Sequence, residues 1–183
     1  MGYDSLPHPR FSVYNRDMAP ILDRNSIEII SRSSEQTRRV GMRLGALIQP
    51  GDVICLVGDL GAGKTTLVQG LAAGWGSLDP VSSPTFVLVN VYRKVDQARL
   101  FHLDAYRMSG PAEAIDLDLD EMLEQGPLVV EWADRIEAAL PDDRIWVSLQ
   151  WVDEDQRDLV FSARGARHKQ LLDSFRERVY GVS

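Results

Sequence analysis

The octet Gly58-Asp59-Leu60-Gly61-Ala62-Gly63-Lys64-Thr65 constrains this chain more than any other stretch. It matches the phosphate-binding-loop pattern G-x-x-x-x-G-K-[ST] and stands in the context that pattern needs. Ahead of it, Asp52-Val53-Ile54-Cys55-Leu56-Val57 is a short apolar run that reads as a buried strand. Behind it, Thr66 to Ala73 reads as an amphipathic helix with Leu67, Val68 and Leu71 facing inward. A phosphate needs many donors and no side chains in the way. Gly58, Gly61 and Gly63 let the backbone curl so that successive N–H groups point into one concavity. The helix that begins near Gly63 adds its unpaired N–H groups and the positive end of its dipole. Lys64 has the length to reach β- and γ-phosphates, and the Thr65 hydroxyl is a magnesium ligand in such loops. The plainer reading is a glycine-rich turn before an ordinary helix. Such an octet arises by chance in on the order of one per cent of chains this long, and the flanking strand and helix favour nucleotide binding further.

The rest of the chain falls into place around this loop. Residues 1–25 read as an extension, and residues 26–183 as a single domain. Ile27 to Ile30 reads as a first strand. Ser33 followed by Gln36 has capping-box spacing, so a helix is expected from about Glu35 to Ile48, stopped by Pro50-Gly51. After the loop helix, Gly74 and Gly76 are expected to end the element. Phe86 to Arg93 and Arg99 to Asp104 read as strands joined by a turn at Asp96-Gln97, and so short a link makes them antiparallel. Ala112 to Ile115 and Asp120 to Leu123 read as short helical pieces. Leu128 to Glu131 reads as a buried strand and Ala133 to Leu140 as a short helix. Arg144 to Trp151 and Asp158 to Ala163 form a second hairpin, and a last helix runs from about Ala166 to Val179. Hairpins beside a loop that normally sits among parallel strands predict an α/β fold with a mixed, partly antiparallel sheet.

The net charge of −7 argues against a free-standing nucleic-acid binder. It leaves room for a local basic patch, or for work beside another protein that holds RNA. The single cysteine, Cys55, rules out an intramolecular disulfide and reads as a small core residue. No apolar run approaches the ~20 residues of a membrane span. Met1 to Pro20 has no apolar core and carries three prolines, so it does not read as a secretory signal. A cytoplasmic protein with no membrane association is expected.

A loop that binds phosphate becomes a hydrolase only with a carboxylate near the magnesium and a group that positions water. In α/β sheets such groups lie at the carboxyl ends of strands. Asp104 ends one apolar run and Glu131 ends another. Either alone also reads as a cap or a surface acid. Thr85, in the turn-rich stretch after the loop helix, has the position of a switch threonine that senses the γ-phosphate or the metal; a plain turn threonine is the competing reading. His102 reads as structural. Trp132 either stacks on a base or packs, and the residues leave both open.

Four segments in this order resemble one family: Gly58 to Thr66, then Ser83-Pro84-Thr85-Phe86, then His102-Leu103-Asp104-Ala105-Tyr106-Arg107, then Glu131-Trp132. Together they are similar to TsaE, the small bacterial ATPase of tRNA threonylcarbamoyladenosine biosynthesis. The likeness covers roughly residues 27–165. It implies a P-loop NTPase-like three-layer sandwich, ATP and Mg2+ as ligands with ADP as product, and slow hydrolysis that partners stimulate. The implied partners are TsaB and TsaD, with tRNA met only through their complex. Residue by residue, the likeness implies phosphate contacts from Gly61, Ala62, Gly63, Lys64, Thr65 and Thr66. It implies Mg2+ ligation by Thr65 and Glu131, a hydrolytic role for Asp104 and a switch role for Thr85. It further implies nucleotide contacts from Ser34 and Glu35 and from Arg157, with Trp132 beside the nucleotide. A small P-loop kinase and a non-hydrolysing ATP sensor are the alternatives. No arginine-rich lid favours the kinase, whereas the sensor shares the same site.

Overall fold

The computed structural model describes residues 25–81 and 88–181. Seven strands form one sheet: β1 (Ser26–Ser31), β2 (Val53–Val57), β3 (Val89–Arg93), β4 (Arg99–Asp104), β5 (Leu128–Glu131), β6 (Arg144–Trp151) and β7 (Arg157–Arg164). Their spatial order is β1-β7-β6-β2-β5-β4-β3. The central neighbours β6, β2, β5 and β4 run parallel, and β3, β7 and β1 add on antiparallel. The sheet is thus mixed, as the two hairpins require. The carboxyl ends of β2, β4, β5 and β6 share one edge of the sheet, and β1 also ends there, because it runs antiparallel to β7.

Five α-helices cover the faces: α1 (Ser34–Gly45), α2 (Lys64–Trp75), α3 (Pro111–Ile115), α4 (Leu119–Gln125) and α5 (Ala166–Tyr180). Alternation along the strands divides the core in two. Ile54, Leu56, Val129, Ile145 and Val147 pack with Leu44 of α1, Leu67 and Leu71 of α2, and Phe175 of α5. Val53, Cys55, Leu103, Leu128 and Val130 face the other way, against Met108, Ala114, Leu119 and Ile136. The result is three layers, helix–sheet–helix. Each fully buried leucine contributes about 1.5–3 kcal/mol. Cys55 is fully buried, and burial pushes its thiol up to about 12, which fits a core residue.

Several boundaries differ from expectation. Helix α1 stops at Gly45 instead of Ile48. Its end tightens into a three-residue turn, with the Leu47 N–H donating to Leu44 O at 2.9 Å, while Asp52 Oδ2 accepts from the Gln49 N–H at 2.8 Å. The capping box holds: Ser33 Oγ accepts from the Gln36 N–H at 3.1 Å. Gly76, left-handed at φ 97°, ends α2, but Gly74 lies inside the helix. The segment Ala133–Ala139 is a 3-10 helix, broken at Ile136. Strand β3 begins at Val89; Phe86 and Val87 fall outside the described residues. Among the described residues no helix is long and apolar enough to cross a membrane.

Helices α1 and α2 approach along two glycine pairs spaced four apart. A Cβ on Gly45 would lie 2.0 Å from Leu71 O, and one on Gly74 2.0 Å from Met42 O. One on Gly70 would lie 2.1 Å from Arg38 O, and one on Gly41 2.4 Å from Leu67 O. Backbone therefore meets backbone, as at other small-residue helix crossings.

Asp52, expected as part of the strand, instead precedes it and anchors α5. It is buried, accepts from Arg167 Nε at 2.9 Å and Nη2 at 2.7 Å, and sits beside buried His168. His168 Nε2 accepts from the Val53 N–H at 3.0 Å, which requires a neutral ring. Burial pushes its pKa down; Asp52 and Asp143 oppose this, and Arg167 adds to it. The unfolded chain therefore binds the His168 proton first as pH falls. Stability should be fully present above the ordinary histidine pKa of about 6.5 and decline as pH falls through the lower folded value. Urea midpoints at pH 7 and pH 5 check this: the drop should shrink in His168→Gln, whose amide oxygen can still accept from Val53.

Candidate functional site

The loop leaves the carboxyl end of β2 and turns directly into α2. Gly58 is pressed against β6, where a Cβ would lie 2.2 Å from Leu149 O, and its φ of 143° suits glycine alone. Gly63 is left-handed at φ 103° and starts α2 without a side-chain cap. The first turn of α2 carries no acidic residue, in contrast to α1, which has both the Ser33 cap and Glu35. The N–H groups at the head of α2 are left for an anion.

Lys64 folds back over the loop. Its Nζ donates to Gly58 O at 2.6 Å and to Asp59 O at 2.8 Å, and it lies 3.7 Å from the centre of the Trp132 ring. The side chain is buried, and burial lowers its pKa; Glu131, Asp104, Asp134 and Asp59 oppose that shift and favour the ammonium. An ammonium so placed is pre-positioned at the mouth of the loop.

Glu131 and Asp104 are brought together by the sheet. Strands β4 and β5 are adjacent and parallel, and Asp104 pairs in register with Glu131. Glu131 is buried, and both its oxygens accept from the Thr65 hydroxyl, at 3.0 and 3.1 Å. Asp104 is half-buried and accepts from the Tyr106 N–H at 2.9 Å. Burial raises its pKa; the Tyr106 N–H lowers it, Glu131 raises it further, and His102 and Lys64 oppose. A hydroxyl and two carboxylates at the head of α2 are the hard oxygen donors that Mg2+ takes alongside phosphate. The donor set fits that ion, and Thr65 and Glu131 are the residues that would hold it.

The second group of candidates lies on the same edge of the sheet. Ser34 opens α1 just past β1, and Glu35 is exposed and pairs with Arg38 at 2.9 Å. Arg157 opens β7; its guanidinium stacks on Trp151 at 3.8 Å and donates to the carbonyls of Asp153, Glu154 and Gln156. The Trp151 ring reaches the loop, its edge 3.4 Å from where a Gly61 Cβ would stand. A cleft of about 470 Å³ beside the loop has Trp132 and Trp151 among its walls. Trp132 itself packs between Lys64 and Tyr106, whose ring centre is 4.9 Å away. Thr85 lies outside the described residues.

His102, expected to be structural, is hydrogen-bonded to the buried carboxylate of the site. It is fully buried, with Nε2 3.0 Å from Glu131 Oε1 and Nδ1 3.1 Å from the Tyr92 hydroxyl. The available signal was parity: His102 is two residues before Asp104, so the two share a face of β4. Trp151 was also passed over, because only the β6–β2 pairing carries it to the loop.

The model of the family described as "Threonylcarbamoyl adenosine biosynthesis protein TsaE" matches residues 31–159. The chain belongs to the TsaE family. A Bacillus subtilis (strain 168) relative described as "tRNA threonylcarbamoyladenosine biosynthesis protein TsaE" is 41% identical over 140 residues, spanning 76% of this chain and 87% of that protein. A Streptomyces coelicolor relative with the same description is 42% identical over 125 residues, spanning 67% of this chain and 84% of that protein. The crystal structure of Bacillus subtilis YdiB superposes with a TM-score of 0.71 at 33% identity, covering 84% of this chain and 96% of that one. The span matched to the TsaE family holds the loop, both strand-end carboxylates, His102 and Trp132; α5 lies beyond it.

Proposed function

We propose that this chain binds ATP with Mg2+ at the Gly58–Thr65 loop and hydrolyses it, slowly alone and faster with TsaB and TsaD. In this reading it serves, in the cytoplasm, the threonylcarbamoyl modification of adenosine in tRNA, which it meets only through the TsaB–TsaD complex. The family membership supports the pathway. The observation that carries the chemistry is the in-register pair Asp104 and Glu131 at the head of α2, with Glu131 bonded to Thr65 at 3.0 Å.

Each residue then has a task. The amides of Gly61, Ala62, Gly63, Lys64, Thr65 and Thr66 and the Lys64 ammonium hold the phosphates and offset their charge. Thr65 and Glu131 hold Mg2+, which when bound supplies charge neutralisation at the phosphate oxygens. Asp104 orients the attacking water and accepts its proton as the oxygen bonds to the γ-phosphorus and ADP leaves. A carboxylate whose pKa is raised by burial is a better proton acceptor than an ordinary one, which suits that task. Ser34, Glu35, Trp132 and Arg157 contact the rest of the nucleotide, and Thr85 acts as the switch.

The test is phosphate release from Mg-ATP by the purified chain, alone and with its cognate TsaB and TsaD. Slow release alone and strong stimulation by the pair is the expected result. Tight ATP binding with release at the background rate, partners present, would instead make the chain a nucleotide sensor.

A further inference from the structure

Four side chains form a hydrogen-bonded line from the edge of the sheet to the loop: Tyr92 on β3, His102 on β4, Glu131 on β5 and Thr65 on α2. The first three are buried. The donors along the line follow from the acceptors. An ionised Glu131 only accepts, so His102 Nε2 carries a hydrogen and donates to Oε1. In the neutral ring Nδ1 then accepts, and the Tyr92 hydroxyl donates to it. Burial pushes the Tyr92 phenol up to about 12, so it keeps its proton.

The two oxygens of Glu131 are not equivalent. Oε1 accepts from His102 at 3.0 Å and from Thr65 at 3.0 Å. Oε2 accepts from Thr65 alone among the described residues, at 3.1 Å. The Thr65 hydroxyl has one hydrogen to share between them. If that hydroxyl turns toward a cation, Oε1 keeps a directed donor and Oε2 is released. We propose that His102, itself backed by Tyr92, is a positioning residue: it pins Oε1 of Glu131 and so presents Oε2 to the metal. This rests on the Mg-ATP reading above.

The line is braced at both ends. Strand β3, which carries Tyr92, is tied to the far end of the loop helix. Arg93 O accepts from the Leu78 N–H at 2.9 Å, the Arg93 N–H donates to Asp79 Oδ2 at 2.9 Å, and Lys94 Nζ sits 4.2 Å over the Trp75 ring. Helix α2 begins at Lys64 beside Thr65 and ends at Trp75. The four side chains and α2 therefore close a frame around Glu131, which limits how far the carboxylate can swing.

The test uses the full chain and a fluorescent, non-hydrolysable ATP analogue, its binding followed as Mg2+ is titrated and again in EDTA. His102→Ala should raise the Mg2+ concentration for half-effect about tenfold to a hundredfold and leave binding in EDTA within about twofold of the parent. His102→Gln, whose side-chain N–H can stand in for Nε2, should recover most of the loss. Tyr92→Phe, which frees Nδ1 without removing the ring, should shift it a few-fold in the same direction. The proposal is overturned if His102→Ala leaves the Mg2+ requirement unchanged or His102→Gln fares no better than alanine. Parallel loss of binding in EDTA overturns it too, since that is the mark of a purely structural role. If alanine fails to fold, the other two variants decide alone: a near-parent Mg2+ requirement in His102→Gln together with a few-fold rise in Tyr92→Phe supports the proposal, and Tyr92→Phe at the parent's value overturns it. A parent whose binding ignores Mg2+ overturns the proposed function, and this proposal with it.

Discussion

Lys64→Ala should lower partner-stimulated phosphate release from Mg-ATP by about a hundredfold to a thousandfold. The expected effect is large because charge neutralisation dominates phosphoryl transfer and Lys64 is the cation at the loop. Its ammonium has three N–H groups. Two are held by Gly58 O and Asp59 O, at 2.6 and 2.8 Å, and the Trp132 ring lies 3.7 Å from the nitrogen. The ammonium is thereby fixed in position before any phosphate arrives. Stability should change much less. Burying the ammonium is itself unfavourable, as its lowered pKa records, and losing that cost offsets the loss of two hydrogen bonds. Lys64→Arg should not rescue, because a planar fork cannot take the place of a compact ammonium between the loop carbonyls and an indole. Stimulated release within tenfold of the parent in Lys64→Ala, with the protein folded by circular dichroism, would contradict the proposed chemistry.

The loop was legible because its chemistry is local. Eight consecutive residues carry the pattern, and the strand before and helix after are marked by their own apolar spacing. Asp104 and Glu131 were legible for a related reason, since each ends an apolar run and strand ends face the loop in this class of sheet. Their pairing was not legible. It depends on β4 lying next to β5 in register, and 23 residues with two short helices separate these strands. The contact of His102 was hidden by the same gap: its partner Glu131 is 29 residues away, and nothing local marks it. Trp151 stacks on Arg157, its partner across the β6–β7 hairpin, and lies beside the loop because β6 pairs with β2, the latter a long-range fact. The early end of α1 is hidden because Pro50-Gly51 reads as its stop, whereas the helix ends at Gly45. Gly74 reads as a helix stop in the sequence, whereas it lies inside α2 and serves the close crossing of two helices.

That crossing leads to the second large effect, a loss of stability in Gly70→Ala. Two terms oppose each other. Alanine in a helix interior is favoured over glycine by up to about 1 kcal/mol, so propensity alone predicts a more stable protein. The added Cβ, however, would lie 2.1 Å from Arg38 O and 2.9 Å from Arg38 C. These are backbone atoms, which cannot rotate away, so α1 and α2 must separate by about 1 Å, and overpacking of this kind costs about 1–3 kcal/mol or more. Separation also loosens the three other glycine approaches along the same line, so the upper end of that range applies. A net loss of about 2 kcal/mol lowers the melting temperature by roughly 4–8 °C in a chain of this size. The displacement reaches the site, because α2 carries Thr65 at its head and its leucines lock it to the sheet. Mg2+-dependent nucleotide binding should therefore weaken with the fold. Gly41→Ala should act alike, its Cβ lying 2.4 Å from Leu67 O. The double variant should lose less than the sum, since helices already parted by one methyl accommodate the second more easily. A melting temperature raised by either substitution would mean that propensity wins, and that α1 and α2 lie further apart in solution than the glycine contacts describe.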